Sequence, residues 1–343
     1  MKERVHYLSL ASVVSAFAVI MIHTNGCFWK FSTDSYWIEA VFIEYITRFA
    51  VPVFFMISGA TLIDYSDRYT TKEYFQKRVQ KALIPFVVWS LFGLGYRLVM
   101  GTYKIELSFS GVMKVFYDLL NTKVIFIYWF FITLFGLYLC VPLFSAIRKE
   151  IRLKVCTYLL IVSLILNYIV PFVCEMLEVQ MERVVPFEVA QNYIIFALIG
   201  YVVSKKEIPS WVNKILYVLG VAGFVFLFSR TYAFSMEAGK TIEAYKGYDN
   251  FPCLLYATGV FVFFKEIGTK IRNEKLIQCI EILSGYTFAI YLLHYYFIDL
   301  LEGVFGNELS LVYRIVAPVI NFGICILVTY LLRKIPLIRK VLP

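Results

Sequence analysis

The feature that most constrains this chain is a succession of apolar runs, each about as long as a membrane is thick. A membrane-spanning helix needs about 20 mostly apolar residues. On that criterion the sequence predicts ten spans, at 7–26, 41–63, 82–100, 124–146, 155–173, 187–203, 212–229, 251–264, 281–301 and 312–332. No polar stretch between them is long enough for a second folded unit. Residues 1–343 are therefore predicted to form a single transmembrane domain of the all-α class.

The composition excludes a soluble fold. The chain is 60% hydrophobic and only 17% charged, whereas soluble domains average about 45–50% apolar and about 25% charged residues. Its basic start resembles a secretory signal, but no small-residue cleavage site follows, so the first span is expected to be retained. The seven cysteines are scattered without CxxC spacing, and neither a metal site nor a disulfide framework is expected.

The distribution of basic residues predicts the orientation in the membrane. About two thirds of the 33 Lys and Arg residues fall in alternate loops and in the termini. Cytoplasmic loops carry such an excess of basic residues, and the pattern fails only at the loop after the third span. Both termini are therefore predicted to be cytoplasmic in a multi-pass protein, with a bacterial plasma membrane as the expected location. The net charge of +9 then reflects topology, so membrane lipids and no nucleic acid are the expected contacts.

Ionisable residues inside predicted spans mark the candidate site. His23, Glu44, Arg48 and His294 lie within or at the end of apolar runs, where a charged group is costly and functional by default. His23 lies about 24 Å along the first helix at 1.5 Å per residue, in the outer half of the bilayer. The other three residues reach a similar depth, and Asp299 lies one turn beyond His294. One polar cavity in the outer half is predicted.

Structural roles stay open for these residues. A histidine within a span often serves packing through a hydrogen bond to a neighbouring helix, which applies above all to His294. Glu44 and Arg48 are four residues apart on one helical face and can neutralise each other. The Tyr-rich stretch Tyr232–Tyr248 is predicted to be a re-entrant or interfacial segment, since Tyr favours that depth.

A basic cluster opens the third span on its predicted cytoplasmic side, at Lys72, Lys77, Arg78 and Lys81. Two interpretations carry equal weight. The cluster can anchor the helix to anionic phospholipids. It can also bind a polyanionic donor such as a CoA thioester, because Arg and Lys pair with phosphate.

Five segments, at 12–24, 48–62, 74–86, 128–142 and 286–294, stand in an informative order. The first ends in His23-Thr24, the second opens on Arg48-Phe-Ala-Val-Pro, and the last reads Tyr286-Thr-Phe-Ala-Ile-Tyr-Leu-Leu-His294. Together they resemble acyltransferase family 3, the integral-membrane O-acyltransferases of cell-surface glycans. The resemblance implies about ten spans, a cytosolic acyl-CoA donor, with acetyl-CoA expected, and transfer to a hydroxyl of a surface or lipid-linked glycan. Polysaccharide biosynthesis proteins are possible further partners.

On this interpretation His23 is the general base, since histidine titrates near working pH. Glu44 would orient the His23 ring or balance its charge, and Arg48 would stabilise the oxyanion of the tetrahedral intermediate. Acyl-CoA phosphates would meet Lys77, Arg78 and Lys81. The substrate cavity would include Ser58, Tyr291, His294 and Asp299, although packing remains an alternative for Ser58 and Tyr291.

The sequence also departs from the family pattern. The family places an Arg eleven residues before the first-span His and often an Asp three residues earlier, where this chain has Ser12 and Ser9. The departure favours a second hypothesis, a glycan or lipid transporter or flippase that uses the same cavity. A scaffold within a polysaccharide synthase is a third. For the enzyme, the acyl group must cross from the basic cluster to His23, through a channel or by a relay.

Overall fold

The computed structural model describes residues 6–180 and 187–342, and this part of the chain folds into helices without a strand. We number the α-helices α1 (His6–His23), α2 (Ser35–Ile46), α3 (Ala50–Leu62), α4 (Thr71–Arg78), α5 (Ile84–Val99), α6 (Phe109–Leu120), α7 (Trp129–Ser145), α8 (Lys149–Ser163), α9 (Val170–Met176), α10 (Tyr193–Lys205), α11 (Ser210–Ala238), α12 (Phe251–Lys270), α13 (Glu274–Ser284), α14 (Thr287–Phe305), α15 (Leu311–Leu332) and α16 (Pro336–Arg339).

Nine helical stretches in the described residues are long and apolar enough to cross a membrane, which confirms the polytopic all-α prediction. Each contains or overlaps one of the predicted spans. The helix at the predicted eighth span, 251–264, extends to Lys270. The predicted sixth span, 187–203, is instead the short helix α10, which has 13 residues. At 1.5 Å per residue such a helix is about 20 Å long, less than the hydrocarbon thickness of about 30 Å.

The second span is broken at Arg48 because of a proline. The helical stretch Ser35–Asp67 is interrupted at 47–49, between α2 and α3. Pro52 has no N–H to donate, and its ring displaces the carbonyl four residues earlier, which belongs to Arg48. The Thr47 hydroxyl donates to the Ile43 carbonyl at 2.6 Å and closes the end of α2. Pro52 thus places Arg48, the one basic residue of this stretch, at a helix end.

Helices α1, α3 and α10 form the centre of the bundle. Helix α1 packs against α3, α12, α13, α14 and α15. Gly59 of α3 and Gly200 of α10 allow these two backbones to touch, since a Cβ at either position would overlap the other helix's backbone at Ala197 or Met56. Small residues permit this kind of close approach in membranes. We call the end of the bundle where α1 begins the His6 face and the end where α1 stops the His23 face.

The predicted interfacial segment Tyr232–Tyr248 is divided between two structures. Its first residues continue α11 to Ala238. The remainder belongs to the connection 239–250, which we call the 239–250 loop. Its Tyr245 is buried in a cluster with Phe28, Trp37 and Leu227. The loop is therefore packed against the start of the second span on the His23 face.

Candidate functional site

A cavity of about 640 Å³ opens at the end of α1 on the His23 face, and we call it the His23 cavity. Four of the predicted site residues line it: His23, Glu44, Arg48 and Tyr291. Its remaining lining includes five aromatic residues, Trp29, Phe126, Trp129, Phe130 and Tyr248, together with Glu243 and Lys246 from the 239–250 loop. These four side chains are thus brought together in one cavity that is partly lined by aromatic rings.

His23 is the last residue of α1 and is only partly buried. Its ring meets the ring of Phe126 edge-on at 5.9 Å between centroids and lies 5.3 Å from the ring of His294. Across residues 6–180 and 187–342 its nitrogens have no hydrogen-bond partner. A hydroxyl in the cavity can therefore approach an imidazole nitrogen to which no described residue is hydrogen-bonded.

Glu44 and Arg48 form a buried ion pair in the wall of the cavity. Arg48 Nη1 lies 3.2 Å from Glu44 Oε1, and the two side chains are 7% and 4% exposed. The guanidinium also lies 3.9 Å from the centroid of the Tyr248 ring. Its buried Nε has no hydrogen-bond partner in the described chain. The pair is therefore self-neutralising in charge yet retains an unused donor.

His294 lies behind His23 and is fully buried. Its Nδ1 is 3.0 Å from the carbonyl oxygen of Ile290. A carbonyl can only accept, so we assign the proton to Nδ1. Nε2 then carries a lone pair and, in the part of the chain described, finds no partner. His294 is thus placed against His23 rather than among the residues that line the cavity.

The 239–250 loop contributes residues that sequence reasoning missed. Lys246 Nζ lies 3.0 Å from the centroid of the Trp29 ring and 4.0 Å from Glu243 Oε2. Burial lowers the pKa of Lys246 below its ordinary value. The tyrosines of this stretch predicted only that it lies at the membrane interface. They gave no indication that it forms part of a cavity wall.

A second cavity, of about 910 Å³, lies at the opposite end of α1, on the His6 face. Ser9 and Ser12 of α1 line it with Asp64, which gives the Asp64 cavity its name; its other polar lining residues are Thr61, Asp67, Arg68, Lys149, Tyr201, Lys205 and Ser284. The Ser12 hydroxyl is hydrogen-bonded to that of Thr287 at 2.9 Å. The two positions at which the sequence departs from the family pattern therefore lie in this wall.

Charges in the wall of the Asp64 cavity are joined into one network. Arg152, beneath the wall and 3% exposed, donates from Nη1 to Asp64 at 2.7 Å and to Asp67 at 3.1 Å. Its Nη2 donates to the Ser145 carbonyl at 2.9 Å. Asp64 also accepts from the Tyr201 hydroxyl at 2.8 Å and pairs with Lys205. The carboxylates are thereby held in place, while the Lys205 head remains partly exposed.

The comparison with protein families matches this helical bundle to one model, described as an acyltransferase domain, over residues 5–332. The chain belongs to the acyltransferase 3 family. Comparisons with curated proteins and with solved structures gave no match. The His23 and Asp64 cavities of this membrane acyltransferase both lie within the matched region.

The structure does not bring every predicted residue of the acyltransferase into the His23 cavity. The Ser58 hydroxyl donates to the Phe54 carbonyl at 2.9 Å, and Ser58 lines neither cavity. Asp299 is exposed and is likewise outside both linings. Asp299 was predicted from its depth in the membrane alone, and depth does not specify which side of α14 faces the cavity. For Ser58 the structure shows a hydrogen bond within its own helix, in line with the packing alternative.

The basic cluster predicted to bind acyl-CoA lies beside the Asp64 cavity and not in its lining. Lys77 Nζ is 3.5 Å from the centroid of the Tyr69 ring, and the Arg78 guanidinium is 5.3 Å from that of Tyr138. Lys81 is exposed. The cations that do line the Asp64 cavity are Arg68, Lys149 and Lys205, and the sequence pattern did not single them out.

Proposed function

We propose that this membrane acyltransferase moves an acyl group, with acetyl expected, from acyl-CoA to a hydroxyl of a surface or lipid-linked glycan in a bacterial plasma membrane. The observation that carries the proposal is the position of His23. It lines a cavity of about 640 Å³ together with the buried Glu44–Arg48 pair, and its ring nitrogens are unoccupied by described residues. This is the arrangement that a general base for hydroxyl attack requires.

The proposed reaction is one acyl transfer. His23 accepts the proton of the acceptor hydroxyl as its oxygen attacks the thioester carbonyl carbon. The negative charge that develops on the carbonyl oxygen is stabilised by Arg48, whose Nε donor is unused in the described chain, because preorganised donors in a dry site are strongly effective. The carbon–sulfur bond then breaks, the CoA thiolate takes the proton from His23, and the products are the ester and free CoA.

Donor binding is proposed at the Asp64 cavity. Arg68, Lys149 and Lys205 line it, and Arg and Lys side chains bind phosphate through charge-assisted hydrogen bonds. Ser12, bonded to Thr287, stands where the family has an arginine. We infer that these three cations take over part of its charge, while Lys77, Arg78 and Lys81 stay a prediction for the approach of the donor.

The distance between the two cavities is small enough for an extended donor arm. On α1, Ser12 lines one cavity and Val19 the other; on α3, Ile57 and Val51 do the same. Seven residues of helix correspond to about 10 Å and six to about 9 Å. We propose that the thioester arm of the donor crosses this α1–α3 contact, so no covalent relay through the protein is needed.

The test of the base is His23→Gln in nanodiscs, assayed for acetyl-CoA and succinyl-CoA consumption with a glycan panel. We expect acceptor-dependent turnover to fall about 10²–10⁴-fold, the usual contribution of a general base. His6→Gln is the matched control, since His6 lies at the start of α1 beside Glu281. Unchanged turnover in His23→Gln with a folded protein would remove His23 as the base.

The test of the donor site is the double variant Arg68→Ala/Lys149→Ala. Each cation removed from a phosphate contact at the surface costs about 0–1 kcal/mol of binding free energy. Removal of both should therefore raise the donor KM by up to about 30-fold, with kcat nearly unchanged. Lys77→Ala/Lys81→Ala is the comparison pair. A larger rise in donor KM in Lys77→Ala/Lys81→Ala would indicate that the donor binds at the basic cluster at the start of the third span.

A transporter remains the second candidate function because of the serines at positions 9 and 12 and the cavities at both ends of α1. Its expected result is glycan binding by wild type and His23→Gln alike, with no thioester consumed. Acceptor-dependent thioester consumption excludes it as the sole activity.

A further inference from the structure

We propose that the acceptor of this acyltransferase is a glycan of at least two linked units, held in two adjoining subsites. The inference rests on the proposed function and adds a second subsite to it. That subsite is a cavity of about 320 Å³ beside the His23 cavity, lined by Trp129, Asn192, Tyr193, Phe196, Gly247, Tyr248 and Asp249. We call it the Asn192 cavity.

The two subsites share an aromatic partition. Trp129 and Tyr248 line both cavities, and their rings are stacked with 5.9 Å between centroids and 24° between planes. The Tyr193 ring lies 5.9 Å from that of Trp129. Flat rings of this kind suit the apolar C–H face of a sugar, because aromatic side chains provide a large rigid contact area with a polar edge. A chain of sugars can therefore continue from the His23 cavity past this partition.

Unused polar groups face the aromatic walls of the Asn192 cavity. The Asp249 carboxylate and the Asn192 amide are both on exposed residues, and neither side chain is hydrogen-bonded or ion-paired to another residue in the described chain. An amide donates and accepts, and a carboxylate accepts. A ligand that matches them must present several hydroxyl or amide groups beside an apolar face.

Asn192 also has a strained backbone. Its φ is 51° and its ψ is −131°, a conformation that non-glycine residues rarely adopt. Such strain persists only where the surrounding structure enforces it, and it concentrates at ligand sites. Here it fixes the start of α10 next to Trp129, at the edge of the second subsite.

The charge of the second subsite restricts the class of sugar that it binds. The His23 cavity contains the cations Arg48 and Lys246, each beside a glutamate, whereas the lining of the Asn192 cavity has one carboxylate and no cation. A uronate in the second subsite would meet Asp249 as a like charge. The second unit is therefore one without a carboxylate, such as a neutral hexose or an N-acetylhexosamine, the two classes that the experiment below compares.

The experiment uses the full-length protein in nanodiscs and glycosides of one, two and three hexose or N-acetylhexosamine units. Calorimetric binding and acyl transfer from acetyl-CoA are both measured. We expect disaccharides to bind at least tenfold more tightly than monosaccharides. Asn192→Gly, which removes the amide and relieves the positive φ, and Asp249→Leu should bring disaccharide affinity to the monosaccharide level and leave monosaccharide binding unchanged. Asp299→Asn, outside both cavities, is the matched control.

The outcomes separate this inference from the proposed function. Affinity that does not depend on chain length, or equal losses for mono- and disaccharides in both variants, overturns the second subsite even if acyl transfer occurs. Length-dependent binding without acyl transfer supports the subsite and contradicts the proposed enzyme. Absence of binding by every glycoside in the panel overturns the inference.

Discussion

The two cavities at the ends of α1 differ in how their charged groups are used. In the Asp64 cavity, Arg152 joins Asp64 and Asp67, and the carboxylates are held by several donors. In the His23 cavity, His23 has unoccupied nitrogens and Arg48 an unused Nε, as far as the chain is described. A buried polar group without a partner costs free energy, so each one calls for an explanation, and a role in binding or catalysis is one such explanation. The difference is that the charged groups of the Asp64 cavity largely satisfy one another, whereas the His23 cavity keeps donors and acceptors free for a bound molecule.

The largest expected effect on stability is at the buried pair of the His23 cavity. Arg48→Met leaves Glu44 buried without its partner, and breaking a buried pair costs about 3–5 kcal/mol. The free energy of unfolding from denaturing-detergent titration measures this. The double variant Glu44→Gln/Arg48→Met should regain a large part of the loss. If its loss equals the sum of the two single losses, the pair is not energetically coupled.

A smaller loss of stability is expected at the Asp64 cavity. Arg152→Met removes charged hydrogen bonds to Asp64 and Asp67, which are themselves partly exposed and can turn to water, so about 2–3 kcal/mol is expected. Lys149→Met is the control, because its head is 74% exposed and 3.9 Å from Asp67, and such pairs contribute about 0–1 kcal/mol. Equal effects of the two substitutions would show that the network is not held by Arg152.

The close contact between α3 and α10 supports one wall of the Asp64 cavity, since Ile57 of α3 and Tyr201 of α10 line it. Substitutions at this contact test how rigid that wall is. Gly59→Ala forces a methyl group into the backbone of Ala197, and overpacking of this kind costs about 1–3 kcal/mol. Gly136→Ala in α7 has open space for its methyl group and should be nearly neutral. The thermal midpoint in detergent distinguishes them; a neutral Gly59→Ala would contradict the close approach.

The smallest expected effect concerns Lys246 at the mouth of the His23 cavity. Burial lowers its pKa in the folded protein below the ordinary 10.5, so the unfolded chain binds this proton more tightly. The free energy of unfolding should therefore rise with pH between the folded pKa and 10.5. Below this pH range, Lys246 is charged in the folded protein and the destabilisation caused by its burial is fully present. Lys246→Met should flatten this rise. Exposed Lys240 provides the control Lys240→Met, which should keep it.

The candidate site was predictable from the sequence only in part. His23 and the Glu44–Arg48 pair were found because ionisable residues are conspicuous within apolar runs and because a spacing of four residues is a local property of a helix. Lys246 and Tyr248 carry no such signal, since charged and aromatic residues in a loop are ordinary. Trp129 begins α7, where an aromatic residue in an apolar span is equally ordinary. Asp299 was assigned by depth, but depth does not specify which side of a helix faces a cavity.

The sequence by itself determined the helical membrane fold, because span length and apolar composition are properties of each segment taken alone. It did not predict the break at Arg48, since the second span was predicted as continuous over 41–63. Pro52 accounts for the break locally, but Pro142 and Pro318 lie inside unbroken helices. The tertiary structure decided which basic residues line the Asp64 cavity, where the 239–250 loop packs, and that His294 stands behind His23. These depend on contacts between helices far apart in the chain, and such contacts follow from side-chain packing across the whole bundle and not from any one segment.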